Sequence, residues 1–330
     1  MKVPKTKWVS TNCTSERTLI MWITKYPLPY VRTGDIEPYD PSRDASDILL
    51  MAGASANHAV TLLSCLLSFV RIFSNSSILF VDYGMADTDL CWLNHLFNIT
   101  HQFHLAQKAP ARLYYRKYNW NAFPDWMNIN DTLMRGGYTW KPIAIADAFY
   151  QWKGVIMWND AGNYYHPAIT KAVDILRREG AYIPYDHAQY SKKMNIKTYE
   201  FLLIHRMIQP INRESGMGGA TFMMFDYSNS TCRYQLMIPW LQCAYTRQCM
   251  TPIGSRYSFH LPEQSVIAIL ATQNGLASSC NEKTKFTAHY WTDIRIKTLN
   301  NNTLLVREME YLSTVLGKEL YVNQTFGTCQ

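Results

Sequence analysis

The stretch Gly154-Val-Ile-Met-Trp-Asn-Asp-Ala-Gly-Asn163 decides the fold that this sequence predicts. Its apolar first half favours a buried strand, and its Asn, Asp and Gly residues predict a turn around Asp160. Helical patterns lie on both sides, TWKPIAIADAFYQW (139–152) before it and HPAITKAVDILRREG (166–180) after it. Gly180 is expected to end the second helix. A helix, a strand and a helix in this order are typical of an α/β protein.

The preceding sequence repeats this alternation. DILLMAGAS (47–55) and SILFVDYGM (77–85) predict two more buried strands, with a helix over 58–73 between them and another over 87–98 after them. The sequence therefore predicts a doubly wound α/β fold, with a mostly parallel central sheet flanked by helices. Further along the chain, helices are expected over 199–208, 234–246 and 261–275, and a strand over 218–226.

Composition and charge exclude several classes of protein. A chain of 330 residues with 48% hydrophobic and 17% charged residues is neither disordered nor fibrous. The net charge of +7 is scattered in short runs, so the sequence predicts no nucleic-acid partner. It contains no run of 18 apolar residues, and its start, MKVPKTKWVS, lacks the apolar centre of a signal peptide. Any leader or membrane anchor is expected outside this sequence.

Potential glycosylation sites indicate a protein of the secretory pathway. The pattern Asn-x-Ser/Thr is the acceptor for N-linked glycans, which occur in secreted proteins. We therefore expect the protein in the Golgi or endoplasmic reticulum lumen, or secreted, and glycosylated. The seven acceptors are Asn12, Asn75, Asn98, Asn130, Asn229, Asn301 and Asn323.

The eight cysteines also fit that compartment. Cys243 and Cys249 are close enough in sequence to close a short disulfide loop. Cys65 and Cys91 lie in apolar segments and are expected to be buried free thiols. The remaining four lie in polar surroundings and are candidates for disulfides with one another: Cys13, Cys232, Cys280 and Cys329.

Polar residues follow three of the predicted strands, where a parallel sheet binds its ligands. Ala54, Ser55, Asn57 and His58 follow the first strand and are candidates for binding a ligand. Each such residue has a simpler interpretation, because Asp and Asn after a strand commonly fix a turn or cap a helix. Asp82 follows the second strand, and Asp160 and Asn163 follow the third.

Several segments resemble a known family. GASANH, ILFVDYGM, GGYTWKPIAIADAF, VIMWNDAGNYY and HLPEQSVIAIL together look like an uncharacterised eukaryotic family of GT-A-type glycosyltransferase-like proteins. The resemblance covers about residues 45–275, with loose boundaries. It implies a GT-A-like fold that moves a sugar from a nucleotide-sugar donor to a glycan or protein acceptor. It also implies a Rossmann-like nucleotide half and an acceptor half.

The resemblance leaves the need for a metal open. In GT-A enzymes an Asp-x-Asp turn holds a divalent metal on the donor diphosphate, but here the turn reads Asp160-Ala161-Gly162. Mn²⁺ or Mg²⁺ would need further ligands, for which His260, Asn163 and His166 are candidates. In the alternative, Lys141 neutralises the diphosphate without a metal.

The same resemblance suggests the catalytic groups. Glu263, in HLPEQSV, stands where the family has an acid and is a candidate base, together with Asp160. Glu263 could equally stabilise the start of its helix. Gly218 and Gly219 could let the donor sugar approach the backbone, or form a bulge.

The expected organisation is one GT-A-like domain over 45–330 after an N-terminal extension, 1–44. Within it we expect a nucleotide-sugar half (45–165), an acceptor half (166–275) and a C-terminal extension (276–330). The alternative function is a catalytically inactive fold that binds glycans or a partner. A methyltransferase, a serine hydrolase and a P-loop protein are disfavoured, because their glycine-rich or Gly-x-Ser-x-Gly motifs are missing.

Overall fold

The computed structural model describes residues 30–32, 36–42, 44, 46–109, 111–131, 133–276, 287–289 and 303–320. Within them, a seven-stranded sheet forms the centre of the molecule, in the order β1-β4-β3-β2-β5-β10-β7. Strands β4, β3, β2 and β5 pair in parallel, whereas β1 and β10 run antiparallel to their neighbours. The seven strands are β1 (Tyr30–Arg32), β2 (Ile48–Ala54), β3 (Ser77–Asp82), β4 (Leu113–Tyr118), β5 (Val155–Asp160), β7 (Ala181–Tyr182) and β10 (Phe222–Asp226).

Two smaller ribbons pair four further strands. Strand β6 (Asn163–Tyr165) pairs with β11 (Thr287–His289), and β8 (Tyr185–Gln189) pairs with β9 (Gly216–Gly218). The helices of the described residues are α1 (Ala59–Ile72), α2 (Asp87–Ala106), α3 (Trp140–Trp152), α4 (Thr170–Glu179), α5 (Tyr190–Lys193), α6 (Ile196–Ile204), α7 (Ile238–Ala244), α8 (Arg247–Met250), α9 (Pro262–Gln273) and α10 (Thr303–Leu316).

Helices cover both faces of the sheet, which explains the continuous apolar strands. Alternate residues of β2 and β3 point to opposite faces, and all but one of them are buried. One face packs on α3, α6, α7 and α9, and the other on α1, α2, α4 and α10. Burial of each Leu, Ile or Phe in these layers contributes about 1.5–3 kcal/mol. The predicted α/β class, with a mostly parallel sheet flanked by helices, is confirmed.

The structure differs from the prediction at two elements. Residues 30–32, predicted as part of an extension, form edge strand β1 beside β4. The helix expected over 234–246 begins as a π-helix, Cys232–Met237, before α7. Pro239 lies in the first turn of α7 and has no backbone N–H to donate to the preceding turn, so regular α-helical bonding is interrupted there. The proposed division into two halves stays a prediction.

The cysteines only partly follow the prediction. Cys243 and Cys249 form a disulfide, and Cys65 is a buried free thiol, as expected. Cys91 was expected to be free and is disulfide-bonded, whereas Cys232 was expected to be bonded and is a buried free thiol. The local sequence does not reveal which cysteines meet in space. Cys13, Cys280 and Cys329 lie outside the described residues.

Over the described residues, every helix is too short or too polar to cross a lipid bilayer.

Candidate functional site

The carboxyl ends of the central strands meet at one edge of the sheet. Gly53 of β2 lies directly beside Asp160 of β5, and Ala54 lies beside Asp82 of β3. The three polar strand ends predicted from the sequence therefore converge. Asp160 keeps 26% of its side chain exposed, so its carboxylate is accessible from this edge.

A buried lysine joins two carboxylates at this edge. The Nζ atom of Lys141, at the start of α3, lies 3.0 Å from Oδ1 of Asp160. The same atom lies 3.3 Å from Oε1 of Glu263, at the start of α9. Trp158 also donates its indole N–H to Oδ1 of Asp160, at 2.8 Å. These side chains are far apart in sequence, and the structure brings them into one cluster, Asp160–Lys141–Glu263.

The ammonium group of Lys141 makes all its hydrogen bonds within the protein. Its ammonium has three hydrogens and contacts three acceptors, since it also lies 3.2 Å from the carbonyl oxygen of Ala220. The side chain is only 3% exposed. Lys141 was predicted to bind the donor diphosphate, but its hydrogens are already used within the protein. In the structure Lys141 bridges Asp160 and Glu263, and its role at the diphosphate stays a prediction.

Burial and neighbouring charges shift the pKa values of Lys141 and Glu263 in opposite directions. Burial alone would lower the pKa of Lys141, but the charges of Asp160 and Glu263, with hydrogen bonds to both, raise it above its ordinary value. Burial raises the pKa of Glu263, and attraction to Lys141 offsets only part of that increase. The lysine is therefore held in its charged form between two acids.

Aromatic rings surround the cluster. The Nζ atom of Lys141 lies 5.7 Å from the ring centroid of Trp158 and 5.8 Å from those of Trp140 and Tyr138. These distances are within the range of cation–π attraction. Tyr83 packs against Trp140 with ring centroids 4.4 Å apart, and it lies over Gly53, where a Cβ would be 2.2 Å from its ring.

Two buried donors in this aromatic layer have no partner among the described residues. The hydroxyl of Tyr83 and the indole N–H of Trp140 both make no hydrogen bond there. A buried polar group without a partner costs about 1–3 kcal/mol. Burial raises the pKa of Tyr83, as does the nearby charge of Asp160, which places this hydroxyl next to the site. Both groups lie in the aromatic layer around the cluster, and neither polar atom has solvent-exposed surface.

A left-handed backbone turn immediately precedes α3. Arg135, Gly136, Gly137 and Tyr138 have φ angles of 49°, 65°, 60° and 53°. For a non-glycine residue this conformation costs about 1–2 kcal/mol. Both glycines are required, because a Cβ on Gly136 would lie 2.1 Å from the carbonyl oxygen of Met127. A Cβ on Gly137 would lie 2.7 Å from Thr251.

This turn places an exposed cation at the edge of the site. Nη1 of Arg135 lies 3.3 Å from the hydroxyl of Tyr138, and its guanidinium lies 5.5 Å from the ring centroid of Tyr257. Partial desolvation lowers the pKa of His58, the charge of Asp160 opposes that shift, and the charge of Arg135 adds to it. Arg135 and Tyr138 were not predicted as site residues, although the two glycines between them indicate an unusual backbone conformation.

Asp82 fixes the turn that follows β3. It is fully buried, and its Oδ1 accepts hydrogen bonds from the backbone N–H groups of Gly84 and Met85. Its Oδ2 accepts from the hydroxyl of Tyr115 at 2.7 Å. Both oxygens of Asp82 therefore have partners within the protein, and its role in donor binding stays a prediction.

Asn163 and the predicted glycine pair are also structural. The amide of Asn163 donates to Asn159 and to the carbonyl of Thr221, both at 2.7 Å. Gly218 is needed because a Cβ there would lie 2.6 Å from Ile183, and the N–H of Gly219 donates to the carbonyl of Pro184. All three residues are buried, and their role in donor binding stays a prediction.

The loop after β2 keeps its predicted groups at the edge of the sheet. Ala54 is buried, and its carbonyl accepts from the N–H of Tyr83. Ser55 donates to Oδ1 of Asn57, which also lies 2.8 Å from Nδ1 of His58. Asn57 and His58 are exposed. Their role in binding a donor stays a prediction.

The residues of the site do not fit a divalent metal. His260 is buried, its Nδ1 accepts from the N–H of Asn195, and its Nε2 lies 2.9 Å from the carbonyl oxygen of Met250. Neither nitrogen is open for coordination, so we do not retain His260 as a metal ligand. Lys141 occupies the position between the two carboxylates where a cation would bind. Over the described residues, no three His, Cys, Asp or Glu side chains form a group that could hold an ion.

Comparisons with known proteins return structural matches only. No family model and no curated protein matches the sequence. The core-mannan synthase A of Aspergillus fumigatus, in a form with Mn and GDP, has 10% identity and a TM-score of 0.44, over 74% of each chain. The galactosyltransferase LgtC, with donor and acceptor sugar analogs, has 10% identity and a TM-score of 0.44, over 86% of this chain and all of the other.

The bifunctional glycosyltransferase WbbM is a further match, with 13% identity and a TM-score of 0.41. The matched region spans 69% of this chain but only 40% of that protein. At these identities and TM-scores, the matches do not determine the reaction of this chain.

Proposed function

We propose that this protein is a glycosyltransferase that transfers a sugar from a nucleotide-sugar donor to a glycan or protein acceptor. The observation that carries the proposal is the Asp160–Lys141–Glu263 cluster at the carboxyl edge of the sheet. Ligands of open α/β sheets bind at this edge. The two unpartnered donors, Tyr83 and Trp140, support a ligand site there. The resemblance of the sequence to GT-A-type proteins supports the reaction class.

Asp160 is the better candidate for contact with substrate. Its side chain is 26% exposed, whereas that of Glu263 is 8% exposed. In a single displacement, the acceptor hydroxyl attacks the anomeric carbon and its proton passes to Asp160. The bond from that carbon to the diphosphate breaks, and the diphosphate leaves with the electron pair. Glu263 acts through Lys141, which lies between the two carboxylates and keeps Asp160 in place.

The aromatic layer suits a sugar substrate. Tyr and Trp rings stack on the apolar faces of sugars and offer a polar group at the ring edge. Tyr138 and Tyr257 are half-buried, with their ring centroids 5.7 Å apart and an angle of 27° between the ring planes. We expect the donor sugar to contact this pair.

A screen of nucleotide sugars tests the proposal. The purified protein is incubated with UDP-, GDP- and CMP-sugars, and release of the nucleotide is measured with EDTA and with Mn²⁺. We expect hydrolysis of at least one donor, reduced at least a hundredfold in Asp160→Asn, and thermal unfolding shows that this variant is still folded. If no donor is hydrolysed, or if Asp160→Asn retains full activity, the proposed reaction is wrong.

The alternative is an inactive fold that binds glycans or a partner. Its supporting observation is that Lys141 already neutralises part of the acidic site. Donor binding without hydrolysis in the same screen would favour this alternative. Hydrolysis that depends on Asp160 would exclude it.

A further inference from the structure

We propose that Arg135, together with His58, forms the anion-binding subsite that holds the diphosphate of the donor. This inference rests on the proposed function and names the groups that replace a metal at this site. His58 was predicted from the sequence to bind the donor without a stated partner group, whereas Arg135 belongs to none of the predicted site segments.

The charge of the cluster shows that another cation is needed. Asp160 and Glu263 carry two negative charges when ionised, and Lys141 carries one positive charge. All three hydrogens of Lys141 already have acceptors. A diphosphate near Asp160 would therefore meet a net negative charge without any hydrogen-bond donor from the lysine. A neighbouring cation with free donors must offset that repulsion.

Arg135 meets these requirements. It is exposed, and its guanidinium contacts are the Tyr138 hydroxyl and the Tyr257 ring. A guanidinium carries five N–H donors, and their planar arrangement matches phosphate oxygens in pairs. Stacking on Tyr257 restrains the side chain, so less conformational entropy is lost on binding.

The backbone at Arg135 is consistent with this role. Arg135 and Tyr138 adopt left-handed conformations that are unfavourable for their residue types. Such conformations persist where the surrounding structure enforces them, and they cluster at ligand-binding sites. The contacts of Gly136 with Met127 and of Gly137 with Thr251 enforce this one. The turn leads directly into α3, so Arg135 and Lys141 are held in a fixed relation.

His58 supplies a second group on the neighbouring loop. Its imidazole is exposed and interacts electrostatically with both Asp160 and Arg135. Nδ1 lies 2.8 Å from Oδ1 of Asn57 and donates to it, which leaves Nε2 for a ligand. Once protonated, Nε2 becomes a donor to a phosphate oxygen.

Binding of inorganic pyrophosphate in the presence of EDTA tests the subsite. Dissociation constants are measured by calorimetry for the full chain and for Arg135→Gln, Arg135→Lys and Arg206→Gln. Arg206 is a matched control, because it is also exposed and left-handed, with a φ of 54°. We expect at least tenfold weaker binding for Arg135→Gln, a smaller loss for Arg135→Lys, and a change of less than twofold for Arg206→Gln.

The outcomes separate this subsite from the proposed reaction. Equal affinity of wild type and Arg135→Gln would overturn the subsite and leave the proposed function intact. A wild-type protein that binds neither pyrophosphate nor any nucleotide sugar would overturn both. Melting temperatures show whether each variant is folded. If Arg135→Gln does not fold, the affinity of Arg135→Lys is compared with that of wild type.

His58 gives a second readout that does not depend on activity. The groups that act on its charge are Asp160 and Arg135. Because a bound anion stabilises the protonated imidazole, pyrophosphate should raise the pKa of His58 followed by NMR. Arg135→Gln should also raise it in the free protein, since a positive neighbour is removed. No change in either case would contradict the subsite.

Discussion

The ammonium of Lys141 is almost completely buried, and two carboxylates and one carbonyl accept its three hydrogens. Such a charge is stable only while its partners remain, because an isolated ion is strongly disfavoured in a protein interior. The same bonds that stabilise Lys141 hold Asp160 and Glu263 close together. Loss of the lysine would leave two neighbouring carboxylates without a compensating charge.

We therefore expect Lys141→Met to lower the free energy of unfolding by about 3–5 kcal/mol. Denaturant unfolding at pH 7 measures the change. Lys192→Met is the control, because Lys192 is exposed, and we expect a change within about 0.5 kcal/mol. A loss below 1 kcal/mol for Lys141→Met would contradict the described hydrogen bonds.

His104 provides a pH-dependent prediction. It is buried in α2 and neither ring nitrogen has a partner among the described residues, and burial lowers its pKa to about 4. A lowered pKa means that its contribution to stability is present above pH 6.5 and is lost as the pH falls towards 4. His104→Leu should be more stable than wild type at pH 4.5, by roughly 1–3 kcal/mol.

The comparison variant is His260→Leu. His260 is equally buried, and burial lowers its pKa to about 4, but its nitrogens are hydrogen-bonded to Asn195 and Met250. We expect this variant to be destabilised at pH 7, because the bonded backbone groups lose their partners. Denaturant unfolding from pH 4.5 to 8 measures both. These expectations would be contradicted if His260→Leu were more stable than wild type. They would also be contradicted if His104→Leu were no more stable than wild type at low pH.

At the residue scale, the sequence predicted Asp160, Lys141 and Glu263 but not their mutual contacts. Asp160 was predicted from the end of a strand, and Glu263 from the start of a helix and the family resemblance. Lys141 was predicted as an alternative to a metal. Which acid is exposed depends on packing by residues distant in sequence, so it could not be predicted. Arg135 was missed for the same reason, since its importance comes from a backbone conformation and from neighbours in other segments.

The element that most strongly shapes the site is the left-handed turn Arg135–Tyr138. Gly136 and Gly275 both have φ angles near 65°, but only Gly136 lies against another segment. Gly136→Ala should lower the free energy of unfolding by at least about 3 kcal/mol, because a Cβ would overlap the carbonyl of Met127. Gly275→Ala should lower the free energy of unfolding by only about 1–2 kcal/mol, because alanine is disfavoured in a left-handed conformation.

Thermal unfolding of the two variants, followed by circular dichroism, measures the difference. Equal melting temperatures would show that the turn can move away from Met127. The turn would then be less rigid than the packing of Gly136 indicates.

Strands and helices were largely predictable because their patterns are local. The buried strands β2, β3 and β5 follow from unbroken apolar runs, and Gly180 ends α4 in a left-handed conformation, as predicted. Strand β1 was not predicted, because three residues are too few to show the alternation of apolar and polar side chains that is typical of a strand. The π-helix before α7 was missed because it depends on how Pro239 interrupts one particular turn.

At the scale of the whole molecule, one ion pair attaches helix α10 to the domain. Glu308 is fully buried, and Arg71 of α1 donates to it at 2.8 Å. The hydroxyl of Tyr164 in β6 also donates to Glu308. The residues of the predicted C-terminal extension therefore include a helix that packs against α1 and α2.

We expect Glu308→Ala to destabilise the protein by about 3–5 kcal/mol, because Arg71 would lose its buried partner. Glu310→Ala on the same helix is the control, since Glu310 is exposed, and should change stability by less than about 0.5 kcal/mol. Limited proteolysis shows whether α10 detaches first. A Glu308→Ala protein as stable and as resistant as the control would contradict this attachment.

A crystal structure with bound nucleotide diphosphate tests the central claim most directly. Crystals are soaked with a mixture of nucleoside diphosphates, and the position of the ligand is compared with Asp160, Lys141 and Arg135. We predict the diphosphate at the carboxyl edge of the sheet, with its oxygens on Arg135 and with space for the donor sugar between its terminal phosphate and Asp160. A nucleotide bound at another edge of the sheet, or held away from Asp160, would contradict the account.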